Sequence, residues 1–285
     1  MSRARHSFQA LEVLRGTFSR RWNFSAAGFV ILLLGLSSAR AQMPLTNGSA
    51  YYQNFDGLGT GNVTTTNLNS HSSTLLGWWF RETDTGANST MTAGTGSSAT
   101  GDTLNFGTNS NPERVLGALF SSSLASTWGV KFTNASGTAI SQLNVSYTGS
   151  TWRIGTGSRV DRIDFQYSTN ATYLGDGTWT DFNALDYTNT AGSAASGSRL
   201  QQRSISNQIT GLNIASGGTI WFRWVDTDAS SADDGMGIDG LYVVPSGSSA
   251  ADIEVKGNGV VIPDGDAAPS PSDHTDFGAV GLSQS

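Results

Sequence analysis

Apolar and polar residues alternate with a period close to two over most of the chain between Tyr51 and Val244. Residues 161–167 are the clearest case, because their isoleucine, phenylalanine and tyrosine fall on one face and their arginine, aspartate and glutamine on the other. Successive residues of a strand point to opposite faces, so this pattern predicts half-buried strands. The predicted strands are 51–58, 77–83, 103–107, 114–121, 128–134, 143–147, 161–167, 179–185, 205–212, 219–226 and 237–244.

Turn-forming residues separate these strands at short intervals, and no helical pattern between them supplies parallel crossovers. The chain therefore predicts an all-β fold, an antiparallel jelly-roll-like (concanavalin-like) β-sandwich of about 10–12 strands, over residues 42–245. Both alternating faces of 219–225 are bulky, which predicts a central strand covered on both sides. Residues 86–101 and 191–198 are mostly small and polar, so we expect long flexible loops there.

The first 41 residues have the pattern of an export signal. Five arginines lie between residues 3 and 21, an apolar run follows at 24–36, and Ala39-Arg40-Ala41 places small residues at positions −3 and −1 of a cleavage site. We expect a signal peptide cleaved after Ala41 and no membrane span afterwards, since a transmembrane helix needs about 20 apolar residues. An uncleaved anchor is the alternative. The predicted location is extracellular, at the cell surface or in the periplasm.

The composition excludes several classes of protein. The chain has no cysteine, so disulfide scaffolds, thiolate zinc sites and cysteine nucleophiles are absent. The predicted signal peptide holds six of the 16 basic residues and one of the 22 acidic residues, which leaves 10 basic and 21 acidic side chains and a net charge of −11. A nucleic-acid-binding surface needs clustered positive charge, so nucleic acid is not an expected partner.

The composition changes again near the C-terminus. Residues 246–250 resemble a Gly/Ser linker, and residues 251–285 contain six acidic residues against Lys256 alone. Thirty-five residues are too few for an independent domain without disulfides or a metal. This region is predicted to be either the truncated start of a further domain or an acidic tail.

Four stretches carry a resemblance to a known family. They are YQNFDGL (52–58), RVDRIDFQYSTN (159–170), GTWTD (177–181) and WVDTDASSADDGMGID (224–239). Together they resemble a bacterial secreted β-sandwich family of mostly hypothetical, surface-sorted proteins, over roughly residues 50–245. The resemblance implies export and a jelly-roll-like domain, and it brings no established catalytic residues.

The C-terminal residues carry a second resemblance. The segments GNG (257–259), DGD (264–266) and DHTDFG (273–278) resemble the first strands of the choice-of-anchor D domain. That domain is an immunoglobulin-like repeat of bacterial surface proteins. The resemblance implies that 251–285 is the truncated start of an immunoglobulin-like domain.

Acidic residues are concentrated where the chain passes between its last two predicted strands, from Asp226 to Asp239. Carboxylates at this density repel one another unless a cation or arginines compensate, and Ca²⁺ prefers such hard oxygen ligands. A structural Ca²⁺ is therefore the expected cofactor, although an EF-hand register fails at Ser231 and Gly237. The alternative is a solvated acidic loop. The candidate ligands are Asp56, Asp226, Asp228, Asp233, Asp234 and Asp239.

Arginine on a covered strand also needs a partner, because an unpaired buried charge is costly. Arg223 lies in the predicted central strand. Asp226 or Asp228 is its expected partner, in a structural role.

Aromatic side chains are the candidates for ligand binding, because a flat ring can stack on a sugar while carboxylates and amides bind its hydroxyls. The adjacent residues Trp78 and Trp79 must point to opposite faces of a strand, so one of them is expected to face outward. The alternative is that the outward ring packs under a long loop as part of the core. The candidate ligand-binding residues are Trp78, Trp79, Trp152, Trp179 and Asp181.

Signals for catalysis are weak. The chain contains no Gly-x-Ser-x-Gly elbow, HExxH motif or phosphate-binding loop, and Glu82 and Glu113 are the sandwich's only glutamates. The predicted function is a secreted, non-enzymatic module for binding or adhesion to extracellular carbohydrate or matrix. The alternatives are an accessory or catalytic part of an extracellular hydrolase, with a glycosidase or nuclease-associated role, and a structural spacer of a surface protein.

Overall fold

The computed structural model of the protein describes residues 42–246, 255–262, 270–272 and 275. Residues 42–246 form an all-β sandwich of two sheets with one four-residue α-helix, α1 (Leu68–His71), and three 3-10 turns of three residues each, so the predicted fold class is confirmed. The strands of the sandwich are β1 (Met43–Leu45), β2 (Tyr51–Gln53), β3 (Trp78–Thr83), β4 (Thr92–Gly94), β5 (Asp102–Phe106), β6 (Val115–Leu119), β7 (Ala125–Asn134), β8 (Gln142–Ile154), β9 (Arg162–Ser168), β10 (Thr180–Asp181), β11 (Tyr187–Thr188), β12 (Ala195–Ile209), β13 (Thr219–Asp226) and β14 (Gly235–Ser246).

The first sheet is built on β7, β13 and β9, which pair antiparallel in that order. Trp224 of β13 lies between Trp128 of β7 and Phe165 of β9. The other edge of β7 is shared by β3 and β1, and the outer edge of β9 is shared by β10 and β11. As predicted from its two bulky faces, β13 is the central strand of this sheet.

The second sheet follows the order β12, β8, β14, β6, β5, β4, with β2 pairing β14 beyond the end of β6. The register of β14 against β8 shifts between Asp239 and Tyr242. Gly240 lies at this bulge with φ +59°, a conformation that L residues with a Cβ rarely adopt. The bulge lets one strand pair with β6 before it and with β2 after it.

Aromatic rings fill the space between the sheets. Trp224 is fully buried, and its ring centroid lies 5.8 Å from that of Trp78, 5.3 Å from Phe165 and 5.6 Å from Tyr147 of the facing sheet. The centroid separations lie within the range of favourable aromatic pairs. This aromatic packing stabilises the sandwich, as disulfide bonds stabilise many exported domains.

Two phenol groups of the second sheet connect it to the layer of the first sheet. Tyr51 of β2 accepts a hydrogen bond of 2.6 Å from the Trp78 indole of β3, and Tyr147 of β8 donates its hydroxyl to the Leu185 carbonyl. Burial raises the pKa of Tyr51 to about 12, so this phenol stays neutral. The contacts satisfy polar atoms that would otherwise be costly inside the core.

The structure also differs from the sequence prediction in several details. Residues 42–246 contain fourteen strands rather than 10–12, because five of them have only two or three residues. Two pairings, β1 with β7 and β4 with β5, are parallel. Residues 92–94 of one predicted loop form β4, and β12 begins at Ala195 within the other.

Beyond the sandwich, β15 (Val255–Gly257) and β16 (Val260–Ile262) form an antiparallel hairpin around Asn258 and Gly259. The predicted signal peptide (1–41), the 247–250 part of the predicted linker, and residues 251–254 and most of 263–285 of the predicted C-terminal region lie outside the described residues. Within the described part of the chain, no helix is long and apolar enough to cross a membrane.

Candidate functional site

The Trp78–Trp79 pair divides between the two faces of β3. Trp78 is fully buried in the core, whereas Trp79 points away from it and is half-buried. A ring without exposed surface cannot stack on a ligand, so Trp78 is removed from the ligand-binding candidates as a correction. Trp79 packs at the margin of a small apolar group that Ala171 and Leu174 form with Trp221 on the outer face of the first sheet.

A cavity of about 290 Å³ opens beside Trp79. Arg81, Asn88 and Tyr173 line it together with the indole of Trp221. This volume is at the lower end of pockets that hold small ligands. Its mixture of aromatic, guanidinium and amide groups can take one small polar ring.

Trp179 and Asp181 lie on the same outer face but belong to the surroundings of Arg223. The Arg223 guanidinium lies 3.9 Å from the centroid of the Trp179 ring and donates to the Gln166 side chain (2.7 Å) and the Leu174 carbonyl (2.8 Å). Burial lowers the pKa of Arg223 to about 10, and the charge of exposed Asp181 opposes this. The predicted partners Asp226 and Asp228 are therefore wrong. An amide, a carbonyl and an aromatic face hold Arg223 instead.

Trp152 lies on the outer face of the other sheet and is only 5% exposed. Its ring stacks on Phe106 with centroids 5.6 Å apart, and the guanidinium of Arg199 lies 5.2 Å from its centroid. Arg199 in turn binds Glu113. Trp152 is thus a covered part of a secondary core, which corrects its prediction as a ligand-binding residue.

Two exposed aromatic residues escaped the sequence analysis. Tyr52 of β2 and Tyr242 of β14 are 50% and 46% exposed, lie directly opposite each other and bring their ring centroids to 4.4 Å. Tyr242 lines a cavity of about 350 Å³ together with Asn144, Ser146 and Ser206. The sequence does contain a signal for this pair. In 51–53 and 241–243 the residues before and after each tyrosine are buried, so the alternation of a strand places the tyrosine on the opposite, exposed face.

The six predicted metal ligands separate into two groups. Asp56 and Asp239 lie near Glu113, and burial, followed by the charge of Glu113, raises the pKa of Asp239 to about 6. Asp56 accepts hydrogen bonds from the Arg114 amide and the Asn54 side chain. Asp56 and Asp239 therefore do not belong to the same cluster as the other four candidate ligands, which corrects the prediction.

The other group forms around Arg159. Its guanidinium Nη2 lies 3.4 Å from Asp161 and 3.3 Å from Asp234, and Nη1 lies 4.0 Å from Asp233. Asp226 adjoins these carboxylates and Asp228 is exposed at the surface nearby. Within the described residues, no three acidic, histidine or cysteine side chains are arranged as a ready-made metal site.

The two glutamates of the sandwich are separated and occupied. Glu82 accepts hydrogen bonds from the amide and hydroxyl of Thr103 (3.0 and 2.7 Å) and from the Asn88 amide (2.9 Å). Burial, with a further contribution from the charge of Glu82, raises the pKa of neighbouring Asp102 to about 6. Glu113 lies in the loop before β6 of the other sheet, where it pairs with Arg199. The two glutamates therefore do not form the carboxylate pair that a glycosidase requires.

Comparison with known proteins gives no family for this chain, since no family model and no curated protein matches it. Among solved structures it is similar to the CBM22-2 xylan-binding domain from Paenibacillus barcinonensis (13% identity, 69% of this chain and 99% of that one, TM-score 0.37). It is also similar to the K2 cleaved adhesin domain of Lys-gingipain (12%, 70% and 99%, TM-score 0.35) and to TmCBM61 in complex with β-1,4-galactotriose (12%, 59% and 88%, TM-score 0.29). These similarities concern the fold alone.

Proposed function

We propose that the protein is an exported, non-enzymatic β-sandwich that binds extracellular carbohydrate through the outer face of its second sheet. The observation that carries this proposal is the exposed ring pair of Tyr52 and Tyr242. Exposed aromatic rings that adjoin one another are a feature of surfaces that bind a ligand or partner. A sugar suits them, because its C–H face packs on a ring while its hydroxyls remain available for hydrogen bonds.

Polar groups for those hydroxyls lie in the same rows of the sheet. Tyr242 pairs with Ser146 of β8, and Ser146 pairs with Ser206 of β12. In the next row, Asn144 accepts a hydrogen bond of 2.9 Å from the exposed Gln208 side chain. The cavity of about 350 Å³ lies between the Tyr242 ring and these groups. Stacking surface and hydrogen-bonding groups thus adjoin one another.

The open shape favours this face over the cavity beside Trp79. Residues 169–179 cover the outer face of the first sheet and leave room for one small ring. The Tyr52–Tyr242 face continues across β2, β14, β8 and β12. We infer that its ligand is a chain of sugars lying across these strands rather than a single sugar.

A glycan array probed with the purified protein tests the function, followed by titration of the best glycan with variants. Tyr242→Ala and Tyr52→Ala should each weaken binding about tenfold, which corresponds to about 1.4 kcal/mol. Tyr173→Ala is the matched control, since Tyr173 is 36% exposed on the first sheet, and it should bind normally. Loss of binding in Tyr173→Ala alone would move the site to the cavity beside Trp79. Absence of binding to every glycan would refute the proposal.

Export is part of the proposal and rests on the first 41 residues and the family resemblance. Expression of the full gene in a bacterium with a general secretion pathway should place the protein outside the cytoplasm. Mass spectrometry should then find Gln42 as the first residue of the mature chain. Retention of the intact N-terminus would instead support an uncleaved anchor.

A further inference from the structure

Asp226 is the least satisfied acidic residue in the described part of the chain. It ends β13 with its side chain on the buried face, is 2% exposed, and neither carboxylate oxygen has a hydrogen-bond partner. The Phe120 amide lies close enough to lower its pKa, yet outside hydrogen-bonding geometry. A buried carboxylate without donors is strongly unfavourable, so something else must neutralise it.

The neighbouring carboxylates increase the deficit of positive charge. Asp161 and Asp234 are occupied, because Asp161 accepts from the amides of Arg162 and Asp234 (2.8 and 3.0 Å), and Asp234 accepts from the Gly155 amide and the Asn189 side chain (2.7 and 2.6 Å). Asp233 is 8% exposed and takes the Ala229 amide at 2.9 Å on one oxygen.

Arg159 is the one guanidinium that forms ion pairs within this group of four aspartates. Arg153 lines a cavity beside Asp233 and forms no ion pair with a described carboxylate. When all four aspartates are ionised, the group around Arg159 therefore carries three uncompensated negative charges. Burial, with contributions from the charges of Asp161 and Asp228, raises the pKa of Asp233 to about 6.

A route from solvent leads to this group. A cavity of about 290 Å³ is lined by Asp233 and Phe120, with exposed Asp228 and the hydroxyl-bearing Ser121 and Ser231 on its walls. A hydrated cation can therefore reach Asp233. The charge of Asp233 also acts on Asp226 and raises its pKa, so the two carboxylates are neighbours. The cavity wall supplies carboxylate and hydroxyl oxygens, carries one guanidinium (Arg153), and lacks described sulfur or imidazole ligands.

We propose that Ca²⁺ binds between Asp226 and Asp233, beside this cavity, whose wall includes Asp233 and the residue Phe120 that neighbours Asp226. Two carboxylates are fewer than a ready-made site contains, but Ca²⁺ takes six to eight oxygens in flexible geometry and accepts hydroxyl, carbonyl and water ligands as well. Mg²⁺ is less suited, because it demands a near-ideal octahedron and dehydrates reluctantly. The ion would neutralise two of the three excess charges and join the end of β13 to the turn before β14. The sequence analysis placed Asp56, Asp234 and Asp239 in this site, and the proposal excludes them.

Thermal unfolding of the EDTA-treated full-length protein, with and without CaCl₂, tests the site. At a calcium concentration one hundred times the Kd, Tm should rise by roughly 5–10 °C for a chain of this size. Equimolar MgCl₂ should give a smaller shift. Asp226→Asn removes the charge and keeps the shape, so it should abolish the calcium-dependent shift while raising Tm in EDTA at pH 7.5. Asp233→Asn is the second variant and should reduce the shift by at least half.

Asp239→Asn is the matched control, because Asp239 is a partly buried aspartate of the other acidic group. It should keep the full calcium shift. If calcium leaves the wild-type Tm unchanged while Asp226→Asn is stabilising, a proton rather than a metal neutralises Asp226 and the proposal is overturned. If Asp239→Asn loses the shift and Asp226→Asn keeps it, the ion belongs beside Asp56 and the proposal is equally overturned.

Discussion

Replacing Arg159 by methionine should destabilise the protein much more at neutral pH than in mild acid. The guanidinium is 13% exposed, and its Nη2 contacts Asp161, Asp234 and the Ala232 carbonyl at 3.4, 3.3 and 2.6 Å. Methionine keeps an apolar stem in place and removes the charge. Breaking a buried ion pair leaves carboxylates without compensation and costs about 3–5 kcal/mol. With a slope of about 2.5 kcal/mol per M, the urea midpoint at pH 7.5 should fall by roughly 1–2 M.

The pH dependence gives this prediction its sign. The folded protein already holds the pKa of Asp161 above its usual value through burial, and loss of the Arg159 charge raises it further. Between pH 7.5 and 5 the folded variant therefore binds more protons than its unfolded chain does. Its loss of unfolding free energy relative to the wild type should consequently shrink as the pH falls. Urea unfolding followed by tryptophan fluorescence at both pH values, in EDTA, measures the difference.

Arg162→Met is the control for this experiment. Arg162 also pairs with two aspartates, Asp164 at 2.6 Å and Asp186 at 3.4 Å, but its side chain is 44% exposed. Exposed ion pairs contribute little, so this variant should lose less than about 1 kcal/mol. Equal losses in the two variants would show that burial does not decide the contribution of these arginines, and the reasoning would fail.

Three further results are expected. Trp224→Ala should lose about 3–5 kcal/mol of unfolding free energy by urea titration, because it empties the centre of the aromatic core, and a loss below 1 kcal/mol would contradict the packing. Gly129→Ala should lower Tm strongly, since its Cβ would lie 2.2 Å from the Phe222 carbonyl oxygen, whereas Gly94→Ala meets nothing within 4 Å and should leave Tm nearly unchanged. In EDTA, the wild-type Tm should rise as the pH falls from 7.5 to 5.5. The folded pKa of Asp233 is about 6, so the stability gained from its protonated form is lost as the pH rises through that value. A Tm that does not change with pH would exclude this linkage.

Periodicity predicted the strands that have one buried face. The central strand β13 has the same bounds in the structure as in the sequence analysis, and β9 differs by one residue at each end. Both strands carry large residues on the core face, so the two-residue period is strong. The pattern failed in β12, where serine, glutamine and arginine dominate the first ten residues. That strand forms at the edge because backbone pairing with β8, rather than burial, holds it.

The site was less predictable than the fold, because side-chain roles depend on what covers each face. Nothing in the sequence near Trp152 shows that Arg199 lies over its ring, and nothing near Trp79 shows that Leu174 packs beside it. Tyr52 and Tyr242 become neighbours only through the pairing of β2 with β14, which joins residues 190 positions apart. Contacts of this kind come from topology, which local spacing does not encode.

The phenol contacts between the sheets have a practical consequence for the conditions under which the protein can fold. Tyr51 with Trp78 and Tyr147 with Leu185 join the two layers without any thiol chemistry. Their formation is therefore independent of the redox potential of the surroundings. The sandwich should reach the same native state in a reducing cytosol as in an oxidising medium, and dithiothreitol should leave its unfolding curve unchanged.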